Sequence, residues 1–113
     1  MSHDARLSAL NITLPDAPAP AANYVPYVRS GNLLYVSGQI SAGPDGLIKG
    51  RLGDDLDVAA GTAAARRCGL ALLAQARAAL GSLDQIKRVV KLGGFVCSTS
   101  DFTDQPEVVN GCS

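Results

Sequence analysis

Ser37-Gly38-Gln39 is the segment richest in chemistry: a hydroxyl, a backbone N–H that no side chain shields and a primary amide stand in three consecutive residues. Such a set suits a small polar or carboxylated ligand. A β-bulge without any ligand accounts for the same residues, because a glycine inside a strand also marks a bulge or a close backbone approach. The remaining candidates read as structure. His3 is the single histidine; it lies in a leader expected to be disordered, which argues against a His-based dyad or triad. Cys68, Cys97 and Cys112 are odd in number and lack CxxC spacing, which argues against a disulfide framework and against a zinc site. Reduced structural thiols are the expectation. Asp54, Asp55 and Asp57 sit before a helical pattern, where acidic residues are favoured, so capping explains them better than a metal cluster does. Gly43 to Gly53 is glycine-rich but lacks the GxxxxGK[ST] pattern of a phosphate loop. Neither a metal nor a cofactor is expected.

The elements that would position these residues follow from pattern. Residues 1–23 read as a leader, extended or irregular because Pro15, Pro18 and Pro20 crowd six residues. Residues 24–113 read as one domain. Tyr24 to Arg29 is a short strand, Ser30-Gly31-Asn32 a turn and Leu33 to Ile40 a second strand. Gly43-Pro44-Asp45-Gly46 is a turn signal, and Leu47 to Lys49 a short third strand. A helix is expected from about Leu56 to Leu80, capped by Asp54 or Asp55 and closed by Gly81. Its buried stripe would be Gly61, Ala65, Cys68, Leu72, Ala76 and Ala79. Leu70 falls off that stripe and could face another subunit. Ile86 to Cys97 reads as a long strand interrupted by Gly93-Gly94. A second helix starts near Asp104, with Asp104 and Glu107 spaced as a capping box and Pro106 in the first turn.

Composition excludes several function classes. The chain of 113 residues carries no net charge, and its basic residues cluster only as Arg66-Arg67 and Lys87-Arg88. Phosphate neutralisation needs a larger basic footprint, so no nucleic-acid partner is expected. No run of about 18 apolar residues marks a membrane span, and Met1 to Pro15 has no secretory core. A cytoplasmic protein is the expectation. Charged residues make up 18% of the chain, below the roughly 25% of soluble domains. Alanine crowds Ala59 to Ala79, and such small side chains hint at burial between subunits.

The segment Tyr27 to Ile40 resembles the N-terminal signature of the RidA/YjgF family, in which a Pro-Tyr strand leads through a Gly-Asn turn to a Ser-Gly-Gln strand. The likeness continues in order through Asp57-Val58-Ala59-Ala60, Ile86 to Lys91, Asp101-Phe102 and Val109-Asn110, covering about residues 18–113. Ser41 stands where many members have proline, and the loop Lys49 to Asp55 is similar to that of a divergent branch.

The resemblance implies an α+β, chorismate-mutase-like fold: a mixed sheet packed against two helices, with the C-terminal part of the domain missing from this sequence. It implies a homotrimer with ligand clefts between subunits and maps Tyr27, Ser37, Gly38 and Asn110 onto cleft-lining, ligand-binding positions. It further implies hydrolysis of amino-acid-derived enamines or imines without metal or cofactor. The arginine that holds the substrate carboxylate and the acidic residue that positions water are expected beyond Ser113. A non-catalytic trimer that binds small carboxylates in the same clefts is the alternative, and an RNA-cleaving enzyme is disfavoured by the charge balance.

Overall fold

The structure, a computed structural model, describes residues 2–113. The fold class is α+β, as expected. In chain order the elements are α1 (His3–Ala9), β1 (Tyr27–Ser30), β2 (Leu33–Val36), β3 (Ala42–Gly43), β4 (Gly46–Leu47), α2 (Val58–Leu80), a 3₁₀ turn (Leu83–Gln85) and α3 (Gln105–Val109). Two units are distinguished, residues 1–38 with 70–89 and residues 39–69 with 90–113.

In the first unit, β1 and β2 pair antiparallel, with Tyr27 opposite Val36 and Ser30 opposite Leu33. Gly31, at φ 58°, supplies the left-handed residue that so tight a connection needs. The core is Leu14, Ala74, Ala76 and Leu83, with Leu7, Ile12, Leu34, Leu70, Leu73 and Ile86 packed on it. Leu70 therefore packs on its own chain's core. It looked misplaced because the buried residues of α2 include Ala71, Ala74 and Gln75, a wider face than the expected stripe.

The start of the leader is ordered. Ser2 caps α1 through its hydroxyl, which accepts from the Ala5 N–H at 3.0 Å. His3 binds twice near the 3₁₀ turn: its N–H donates to the Asp84 carboxylate at 2.7 Å, and its Nε2 donates to the Ile86 carbonyl at 2.8 Å. Ser82 donates to Asp4 at 3.2 Å. Further along, Gln75 is 2% exposed and its amide donates to the Pro18 carbonyl at 2.6 Å. The Gln75 bond ties the proline-rich stretch, which offers few N–H donors of its own, to α2.

In the second unit, β3 and β4 form a two-residue ladder around the expected turn, with Gly46 at φ 106°. The Ser41 hydroxyl donates to the Ile48 carbonyl at 2.8 Å and extends that pairing. The cap of α2 is Asp57, whose carboxylate accepts from the Ala60 N–H at 2.8 Å. Asp55 instead accepts from the Arg51 N–H at 2.6 Å, within the loop. The other end of α2 belongs to the first unit, where Gly81 closes the helix at φ 81°, its N–H donating to the Arg77 carbonyl at 2.8 Å. α3 starts after Asp104 as expected, but Asp104 makes no side-chain cap bond. Gln105, the first residue of α3, instead donates its amide to the Phe102 carbonyl at 2.8 Å, which fixes the preceding loop but caps no helix N–H.

The long strand expected at Ile86 to Cys97 is not a ladder member. Its recorded pairing is at its end, where the Leu52 N–H donates to the Cys97 carbonyl at 2.9 Å and the Thr99 N–H to the Leu52 carbonyl at 2.9 Å. Val89 is 74% exposed and Phe95 wholly so. The β-favouring composition is real, but a strand needs a neighbour, and no named strand runs beside it among the described residues.

Candidate functional site

Three of the four candidate residues lie on the β1–β2 hairpin or directly after it. Tyr27 is half-buried at the first position of β1. β2 ends at Val36, so Ser37-Gly38-Gln39 lies past the strand and not inside it. Pairing runs one step further, because the Ser37 N–H donates to the Pro26 carbonyl at 2.9 Å. The Ser37 hydroxyl donates to the Val25 carbonyl at 2.7 Å, so it works as a clasp on the segment leading into β1. Gly38 is exposed, and a Cβ built there would meet nothing within 4 Å. No close approach within the chain therefore requires a glycine at this position.

Period-two alternation decides what this hairpin offers to a ligand. Tyr27 and Val36 face one side together with Leu34, which packs on the core. Val28, Leu33 and Tyr35 face the other side and are exposed at 54%, 45% and 59%. Ser37, opposite Pro26, belongs by the same alternation to the exposed side.

Asn110, the fourth candidate, is the exposed residue that closes α3. Its carboxamide oxygen accepts from the Ser113 hydroxyl at 3.2 Å. A cavity of about 260 Å³ lies between α1, the segment 12–14 and Arg77, and none of the four candidate residues lines it. His3 is a structural anchor, as its bonds to the Asp84 carboxylate and the Ile86 carbonyl show.

Two thiols form a feature that the sequence reading passed over. Cys68 and Cys112 are half-buried, whereas Cys97 is exposed. Burial pushes the Cys68 thiol up, and the charge of an ionised Cys112 pushes it further in the same direction. Burial likewise raises the Cys112 thiol. Spacing gave no hint of this proximity because Cys112 reaches α2 only through the turn after α3. Among the described residues, no group of three or more His, Cys, Asp or Glu is placed to hold a metal ion.

Residues 4–113 match the family described as "YjgF/chorismate mutase-like, putative endoribonuclease". The chain belongs to the YjgF/chorismate-mutase-like family. Protein TCP17 of Trypanosoma cruzi is 53% identical over 110 residues, which is 96% of this chain and 69% of that protein. The Agrobacterium tumefaciens protein Atu1372, of unknown function, superposes with a TM-score of 0.85 at 48% identity, over 96% of this chain and 67% of its own. A "putative endoribonuclease" from Shewanella oneidensis MR-1 superposes with a TM-score of 0.93 at 33% identity, over 99% of this chain and 75% of its own. The YjgF-like fold inferred from the Tyr27 to Ile40 signature is thus the fold of the chain. No helix among the described residues is long and apolar enough to cross a membrane.

Proposed function

We propose that this YjgF-family chain belongs to an enamine/imine deaminase that acts on small amino-acid-derived imines. The observation that carries the reading is the family match over residues 4–113, with the Tyr27 to Ser37 hairpin keeping its signature residues at one end. The reaction adds water across the C=N bond of a 2-imino acid, and the tetrahedral adduct expels ammonia to leave a 2-keto acid. Tyr27 and the Ser37-Gly38 backbone contribute polar contacts to the substrate. The arginine that grips its carboxylate by a two-point hydrogen bond lies outside residues 1–113 on this reading, as does the acid that holds the water.

Assembly as a homotrimer completes the proposal, with the clefts between subunits. Its support is the apolar surface that one chain leaves open: Val28, Leu33 and Tyr35 on the hairpin, and Val89, Val90 and Phe95 on the extended segment. RNA cleavage by the lone histidine has no such support, because His3 anchors α1.

The test generates a 2-imino acid in situ with an amino-acid oxidase and follows the keto acid as its semicarbazone. Faster release than in buffer, lost on Gly38→Val, supports the enzyme. Saturable binding of 2-keto acids with no acceleration would establish the non-catalytic carboxylate binder instead. Sedimentation equilibrium tests the trimer, and a stable monomer refutes it.

A further inference from the structure

We propose that Cys68 and Cys112 are a dithiol modification site, closed by peroxides into a disulfide that fastens the turn after α3 to α2. The contacts that bring them together lie along one side of the helix. A Cβ built at Gly61 would lie 3.2 Å from Val108, one built at Gly111 would meet the Thr62 carbonyl, and one built at Gly69 would lie 3.1 Å from the Cys112 sulfur. That same Gly69 position is 3.3 Å from the Cys112 Cα and 3.4 Å from its carbonyl oxygen. Cys112 therefore rests on the helix at the residue next to Cys68, about 3.8 Å away along the chain. The effect of the Cys112 charge on the Cys68 thiol agrees with that proximity. Disulfide closure needs Cα atoms within about 7 Å, and the short α3 turn is the part that adjusts.

The chemistry balances with a hydroperoxide as oxidant. One thiolate attacks the O–O bond, giving a sulfenic acid and releasing the alcohol, or water when the oxidant is hydrogen peroxide. The second thiolate then attacks the sulfenic sulfur, forms the S–S bond and releases water. Either thiol can make the first attack, and the other then resolves the sulfenic acid it leaves. Cys97 stands apart as an exposed thiol at the end of the extended segment.

The experiment uses the whole chain with Cys97→Ser, because tryptic peptide 92–113 would otherwise carry two thiols. Hydrogen peroxide in slight excess is added, and thiols are counted in denaturant before and after. The expected result is loss of both thiols and a peptide 68–77 linked to 92–113 that dithiothreitol separates. In Cys68→Ser/Cys97→Ser the link disappears, and dimedone traps a sulfenic acid at Cys112. Loss of thiols only through sulfinic acid or disulfides between chains, or no loss at all, would overturn the proposal.

Discussion

Asp57→Ala probes the strongest local determinant of the long helix. The Asp57 carboxylate satisfies the Ala60 N–H at 2.8 Å, and its carbonyl accepts the first helical bond from the Gly61 N–H at 3.0 Å. Removing the side chain leaves the Ala60 donor without its cap, at a cost of about 1 kcal/mol. It also removes a negative charge from the positive end of the helix dipole, a further ~0.5 kcal/mol at low salt. Together these lower the melting temperature by roughly 6–12 °C for a domain of this size. Asp57→Asn separates the two parts, because asparagine keeps the acceptor and loses only the charge; its drop should be about a third as large and should shrink in high salt. Asp54→Ala is the control, since helix capping belongs to Asp57. Melts followed by far-ultraviolet circular dichroism measure all three. An Asp57→Ala melt within about 1 °C of the parent, or an Asp54→Ala loss as large, would refute the assignment.

Gly111→Ala should destabilise the chain by about 1–3 kcal/mol, because the new methyl meets the Thr62 backbone carbonyl and backbone cannot swing aside; denaturant titration reads the shift. Gln75→Ala should cost about 1–3 kcal/mol, by withdrawing the partner of the Pro18 carbonyl and opening a void where the side chain is 2% exposed. Proteolysis near Pro18 should quicken in step. Burial holds the Cys68 and Cys112 thiols up, so the folded state favours their protonated forms. Their contribution is whole below the ordinary thiol pKa and is lost as pH rises through the higher folded values, so denaturation midpoints should fall on the alkaline side, and less so in Cys68→Ser/Cys112→Ser. Tyr27→Phe should weaken 2-keto-acid binding by about 1 kcal/mol if its hydroxyl contacts the ligand; calorimetry giving equal affinities would remove Tyr27 from the site.

Local rules carried the elements whose signals are local. α2 was legible because a long alanine-rich run lies between an acidic start and Gly81, and both ends are closed by residues within four positions. Which aspartate caps it was not, since Asp54, Asp55 and Asp57 have the same chemistry and differ only in where the loop places them. α1 was missed because His3–Ala9 is too short to signal a helix by itself. It is held by bonds to Asp84 and Ile86, more than 80 residues away. Ile86 to Cys97 failed the other way: composition favours a strand, but a ladder is a property of two segments, and composition describes one.

The candidate site shows the same division. Residue types at Tyr27, Ser37 and Gly38 were readable, but the point at which the ladder ends was not. A strand running through to Ile40 would have put Ser37 and Gln39 on one face of a sheet with Gly38 between them on the other. The ladder ends at Tyr27 and Val36 instead. Alternation then turns the Tyr27 side chain toward the half-buried face and Ser37 toward the exposed one, where its hydroxyl is drawn back to Val25. No ligand lying flat on either face reaches both. A ligand that uses both must lie across the end of the hairpin remote from Gly31-Asn32, where Gly38, with open space around its Cα, lets it approach the backbone. A bulky side chain at residue 38 would obstruct that end without disturbing any contact the fold depends on. This is why Gly38→Val should separate loss of binding from loss of structure.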